Sequence, residues 1–340
     1  MKRRPTLRRV CGIAVLVALG VCLAVAGART ASATPADDIA AALIGAKGER
    51  STIETTRDAD GRLRVVIRGE HYDGRAFLRA LLAGLSADQA SGSAFDLDLD
   101  MDVASLGSFN GELLRGVVLR LSAKRGEIVA FDLAGRIGGS DLRGVLRNGR
   151  DGRHTVHLES GDAGALLRFL NLYRNVRQGR ARIDLDLPRP EAAPRGGIVV
   201  DDFSIVGERV LKPLIVSPNG TAPGDSIGLS HLRLNFASAP DQAVVVSDGV
   251  AVGPLLGATL EGKLSFVNDD IRLRGTIVPF FGREQELRKS SLHPPEELFS
   301  FGYTVEGSIA EPVLRLNNPG PLAPGLLRRL FVPARNDSSE

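Results

Sequence analysis

Four aspartates, Asp96, Asp98, Asp100 and Asp102, form the densest set of metal-capable side chains in the sequence. A calcium loop also opens with aspartates at every second position, but its sixth position needs a glycine, and here that position is Met101. Phe95, Leu97, Leu99, Met101 and Val103 alternate with the acids, which is the two-residue period of a strand. The acids therefore read as the solvated polar face of a strand and not as a cage. His154 and His157 have the same problem, because an i, i+3 pair on a strand points to opposite faces; both read as exposed strand histidines. His71, His231 and His293 stand at no ligand spacing, no G-x-S-x-G nucleophile elbow occurs, and the glycines of GVAVGPLLG lack the lysine of a phosphate loop. The chemistry-bearing residues thus imply no cofactor, no metal and no enzyme.

Charge and cysteine placement narrow the setting. Lys2, Arg3, Arg4, Arg8, Arg9 and Arg29 lie in the first 33 residues without an acid, and an apolar run extends from Val10 to Ala28. Ala31-Ser32-Ala33 then supplies a small-residue cleavage site, so residues 1–33 read as a signal peptide, with an uncleaved inner-membrane anchor as the alternative. The residues after the arginine pairs fit a twin-Arg signal poorly. Without those six cations the formal net charge falls from +3 to −3, which removes the electrostatic case for nucleic acid. Cys11 and Cys22, the only cysteines, lie in the leader outside any lipobox, so the exported part has neither a disulfide nor a thiolate metal site.

The elements that remain are mostly strands. The runs LRVVIRG, FDLDLDMDV, GVVLRLSA, EIVAFDLAG, RHTVHLES, ARIDLDL, IGLSHLRLNFA, ATLEGKLSFV, DIRLRGTIV and FGYTVEGSI are strand-like, several of them alternating strictly, and are separated by turn residues. Helical spacing appears at Asp37–Leu43, at Asp73–Leu85, and at Asp162–Gln178. The last has an aspartate cap, a stripe of Leu166, Leu167, Leu170 and Tyr173, and a stop at Gly179. Pro188–Gly197 reads as a loop between a first half, 34–187, and a second, 198–332, and 333–340 reads as a disordered tail. With tryptophan absent and aromatics at 5%, the core must be aliphatic. Alternation alone leaves open whether the apolar face closes as a sandwich or barrel core or is presented to a ligand.

The C-terminal stretch FSFGYTVEGSIAEPVLRLNNPGPLAPGLLRRLF, Phe299 to Phe331, resembles the ending of AsmA-like envelope proteins of the YhdP type, roughly TYRVxGPLxxPxVxVNPLSALAPGFLRxLF. Tyr303, Val305, Gly307, Pro312, Asn318, Pro319, Ala323, Pro324, Gly325, Leu327, Arg328 and Phe331 fall in register with it. DGVAVGPLLGATLEGKLSF, DIRLRGTIVP and DAGALLRFLNLYRNVRQG extend the resemblance over roughly Thr52 to Val332. Two departures stand out. FGREQELRKSSLHPPEEL after Val278-Pro279 is charged where larger relatives are apolar and glycine-rich, and NNPGPL replaces NPLS wording.

The resemblance implies a mainly β fold: an extended, curled, taco-like antiparallel sheet with a few capping helices, whose aliphatic inner face holds acyl chains. About 20 strands at ~4.8 Å spacing would give a groove of roughly 100 Å before curling. It implies a non-enzymatic, periplasmic cell-envelope protein that binds or transfers lipid, phospholipid foremost, between membranes, with the inner-membrane surface or a larger envelope protein as partner. Candidate lipid-binding residues are Leu97, Leu99, Ile183, Leu185, Leu232, Leu234, Leu260, Leu264, Phe266, Leu273 and Ile277, each equally explicable as core. The alternative is a structural or adaptor protein of the envelope with a closed β core.

Overall fold

The computed structural model describes residues 50–76, 78, 96–125, 127–149, 153–170, 174–187, 194–207, 226–239, 243–265, 268, 270–279, 299–308 and 312–321. Fifteen strands account for most of them: β1 (Arg50–Arg57), β2 (Leu63–Asp73), β3 (Leu97–Gly107), β4 (Leu113–Lys124), β5 (Glu127–Ile137), β6 (Ser140–Asn148), β7 (His154–Ser160), β8 (Val176–Asp186), β9 (Arg195–Val206), β10 (Ser226–Ser238), β11 (Val244–Val252), β12 (Leu256–Ser265), β13 (Asp270–Pro279), β14 (Phe299–Gly307) and β15 (Pro312–Pro321). They form one sheet in strict chain order, β1 to β15, and the two ends do not meet to close a barrel. Every alternating run read as a strand is one. Among the described residues the sheet holds 15 strands, against about 20 expected for the chain, and at ~4.8 Å per step these 15 have an uncurled width of roughly 67 Å.

The expectation of a purely antiparallel sheet is corrected at one joint: β2 and β3 are parallel, with Leu63 opposite Leu97 and Ile67 opposite Met101. A parallel pair requires its connection to run back along the sheet, whereas hairpins suffice elsewhere. A two-residue hairpin joins β5 to β6, where Ile137 faces Ser140 across Gly138 (φ 57°) and Gly139 (φ 87°). Two successive positive φ angles match the twist of the flanking strands and are the reason for two glycines there.

The antiparallel order sorts the strand ends onto two rims. One rim carries the closely spaced strand ends Arg57/Leu63, Lys124/Glu127 and Asn148/His154; the other carries a 3-10 turn (Phe109–Gly111), the helix α1 (Ala163–Phe169) and the strand ends Val206, Ser226, Pro279 and Phe299. The Asp162 carboxylate caps α1 by accepting from the Ala165 N–H at 2.9 Å. At the other end Ser108 Oγ donates to the Phe169 carbonyl and Asn110 Nδ2 to the Arg168 carbonyl at 2.9 Å, satisfying two of the otherwise open acceptors. Arg168 pairs with Glu112 and donates to the Val176 carbonyl at 2.9 Å, which ties the helix to the 3-10 turn and to β8. All its residues except Arg168 are buried.

This helix is shorter than the expected Asp162–Gln178. Arg177 and Gln178 belong to β8, where Ala181, Ile183 and Leu185 alternate, and Gly179 (φ 86°) lies inside that strand rather than capping a helix. The Pro188–Gly197 loop is likewise shorter, because Arg195–Gly197 already pair in β9, and β8 and β9 are neighbours in the sheet. Of the Asp73–Leu85 helix, Asp73 ends β2, Arg75, Ala76 and Leu78 are helical, and residues 79–85 lie outside the described residues. Asp37–Leu43, Tyr173, Phe266, His293, residues 1–33 and the 333–340 tail also lie outside them.

Candidate functional site

Cross-strand register assembles the apolar residues into continuous rows. One row reads Ile53, Ile67, Met101, Leu119, Leu133, Gly144, Leu158, Ile183, Ile198 and Leu234 from β1 to β10. A second, one step toward the short-turn rim, reads Leu146, Val156, Leu185, Gly196, Phe236, Val246, Gly262, Leu273, Val305 and Leu314 from β6 to β15. Together they carry one apolar face across all fifteen strands. Glycines stand where a neighbour needs room: a Cβ on Gly144 would lie 2.7 Å from the Phe131 ring, and one on Gly196 2.5 Å from the Phe236 ring.

Ten of the eleven candidate residues from the sequence lie on this face. Leu97, Leu99, Ile183, Leu185, Leu232, Leu234, Leu260, Leu264, Leu273 and Ile277 all belong to one cluster and none exceeds 8% exposure. The structure brings them onto one surface but buries them as core. The apolar face is least covered elsewhere, on β5, β6 and β7, where Ile128, Phe131, Leu133, Leu146, Val156 and Leu158 remain partly exposed. Coverage changes along each strand. Ile137 and Leu142, at the helix rim, are sealed, and exposure rises toward the short turns. Sequence reasoning read these runs as strands but passed over Phe131, Leu133 and Leu158. Alternation marks the apolar face without revealing which part of it another element covers.

The opposite face is charged and cross-linked. The aspartates of β3 are not a freely solvated ladder: Arg62 Nη1 meets Asp98 at 3.1 Å, Arg68 Nη2 meets Asp100 at 2.7 Å, and the Asp96 carboxylate accepts from the Arg125 N–H at 2.7 Å. A hydrogen bond from Ser122, ahead of the Arg62 contacts, holds the Asp98 carboxyl below the usual carboxylate range. His157 corrects the expectation of an exposed histidine. It is 5% exposed, with Nδ1 at 2.5 Å from Asp184 Oδ1 and Nε2 at 2.9 Å from Glu159 Oε1. Each ring nitrogen thus faces a carboxylate, and the hydrogen bond with His157 holds Glu159 below its ordinary range. His154 is exposed and bonds Asn148, so the two histidines do face apart.

A buried tyrosine pins the far part of the sheet. Tyr303 on β14 reaches across β13 and donates to the Thr259 carbonyl of β12 at 2.8 Å, while Thr259 Oγ1 accepts from the Thr276 N–H at 3.1 Å. Only a residue without a side chain fits under the phenol: a Cβ on Gly275 would lie 1.9 Å from the Thr259 carbonyl oxygen and 2.7 Å from the Tyr303 hydroxyl. Burial pushes the Tyr303 hydroxyl far above its ordinary pKa, so it acts as a donor and not as an acid.

Among the described residues no three metal-capable side chains converge, and no helix is long and apolar enough to cross a membrane. No family model, no curated protein and no solved structure matches this chain.

Proposed function

We propose that this is a non-enzymatic protein of the cell envelope that binds or transfers lipid, phospholipid foremost, on the apolar face of a curled sheet. One observation carries the reading. A continuous aliphatic face crosses fifteen strands, lies opposite a charged face, and is left partly uncovered at Phe131, Leu133, Leu146, Val156 and Leu158. Acyl chains need apolar contact and no directional partners, which such a surface supplies without a reacting group. The leader and the AsmA-like ending support export to the periplasm, or an inner-membrane anchor with the sheet on the periplasmic side, and membrane as the partner.

Mass spectrometry of lipid extracted from protein purified out of envelope fractions tests this directly. Phospholipid at a substantial fraction of one per chain is expected, falling in a Leu133→Asp, Leu158→Asp double variant that still melts cooperatively. Lipid-free protein, or occupancy indifferent to that double variant, overturns the reading. The structural or adaptor alternative has its own support in the near-complete burial of the ten candidate residues, which is what a closed β core requires.

A further inference from the structure

The two edges of the sheet differ in what they offer. Among the described residues β1 pairs only with β2, and β15 only with β14. β15 contains Pro312, Pro319 and Pro321, each without an N–H, a composition that works against adding a further strand. β1, Arg50–Arg57, has no proline, and its hydroxyl-rich sequence RSTIETTR suits pairing. The apolar row across ten strands ends here on Ile53, which packs on the core yet stays half-covered. Ser51 Oγ is buried without a hydrogen-bond partner.

We infer that β1 is a self-association edge at which a second copy of this chain adds its own β1 in antiparallel, two-fold fashion. For both sheets to keep their apolar faces on one side, odd residues must oppose odd and even oppose even, which limits the registers. Centring on Glu54 sets like charges opposite each other, and centring on Thr52 sets Ile53 against Ser51. Centring on Ile53 joins the two apolar rows through an Ile53–Ile53 contact. It also sets Ser51 opposite Thr55, giving its hydroxyl a partner of the kind that stabilises cross-strand pairs, and Thr52 opposite Glu54. Because the contact is isologous and the prolines of β15 work against addition there, assembly stops at two copies.

Opposed residues in such a pair have Cα atoms about 4.5–5.5 Å apart, within the ~4.4–6.8 Å a disulfide spans. The experiment uses the full chain in detergent with Cys11→Ser and Cys22→Ser. Under mild oxidation Ile53→Cys should shift from monomer to disulfide-linked dimer. Thr52→Cys and Glu54→Cys chains should cross-link on mixing better than either does alone, and Leu316→Cys on β15 should stay monomeric. If Ile53→Cys loses cooperative melting, mixed Ser51→Cys and Thr55→Cys chains test the same register. An uncross-linked Ile53→Cys chain of monomer mass, cross-linking as efficient at Leu316, or linkage to a different protein overturns the inference. Each outcome is independent of whether lipid is bound.

Discussion

The apolar face is open over β5–β7 and sealed over β10–β13, and the contrast lies in what surrounds two stretches of similar strand. In β5, exposure alternates from Ala130 to Ile137, with Asp132 and Arg136 on the polar side and Phe131 and Leu133 half-exposed on the other. In β12 the run Leu256 to Leu260 is buried on both faces, and Val250 and Val278 form a second small cluster on the side where other strands carry charges. A strand covered on both sides has no use for charges at alternate positions and drifts toward continuous apolarity. Continuous apolarity therefore marks the part of this sheet that is packed on both sides. Alternation marks one charged face and leaves the covering of the other open: it holds in β3, where Leu97, Leu99 and Met101 are sealed, as it does where Phe131 and Leu133 are not.

Paired Leu-to-Asp substitutions break the comparison with the largest effect. Leu264 is fully buried, so Leu264→Asp strands a carboxylate in the core and should cost more than about 4 kcal/mol, unfolding or aggregating the protein. Leu133→Asp leaves its carboxylate within reach of water and should remain soluble with a cooperative melt. Thermal unfolding followed by circular dichroism reads both. Equal damage at the two positions would erase the distinction between open and sealed regions.

What could be read from the residues before folding follows the same physics. The strands were legible because alternation is local: FDLDLDMDV and ARIDLDL announce their two faces directly. The parallel joint between β2 and β3 was not, since it depends on where a connection runs. The helix was overextended because Leu166, Leu167, Leu170 and Tyr173 continue a helical stripe. Yet Val176, Ala181 and Ile183 pair with β9, and that long-range pairing determines the segment's structure. His157 looked exposed because its carboxylate Asp184 lies 27 residues away on the next strand. Ten of the candidate residues share one apolar face because parity along a strand is local, but the opening at Phe131, Leu133 and Leu158 depends on which elements cover the sheet, and no spacing encodes that.

The tyrosine pin sharpens the contrast from the sealed side. Gly275→Ala forces a methyl group against the Thr259 carbonyl and should destabilise by about 2–3 kcal/mol through overpacking between β12 and β13. Tyr303→Phe keeps the ring and removes only the donor, leaving the Thr259 carbonyl unsatisfied at a cost of roughly 1.5 kcal/mol. Urea titration of both variants checks the order. Gly144→Ala, in the open region, should cost less than Gly275→Ala, because its Cβ would meet the movable Phe131 ring instead of a backbone oxygen.

The smallest expected effect is a pH dependence on the charged face. Asp98 is held below the ordinary carboxylate range by the Ser122 hydrogen bond first and by Arg62 next, with Arg64 also facing it. Its charged form is thus favoured more in the folded chain than in the unfolded one. The stabilisation is complete above the unfolded value of about 3.9 and is lost as pH falls through the lower folded value. Asp98→Asn keeps an oxygen acceptor but cannot titrate. The variant should have a lower urea midpoint than the parent at pH 7, and the gap should narrow as pH drops from about 4 toward 2. A gap that is constant over this range would mean that Ser122 and Arg62 hold the Asp98 side chain by shape alone, and that the charged face contributes no proton-linked stability at this position.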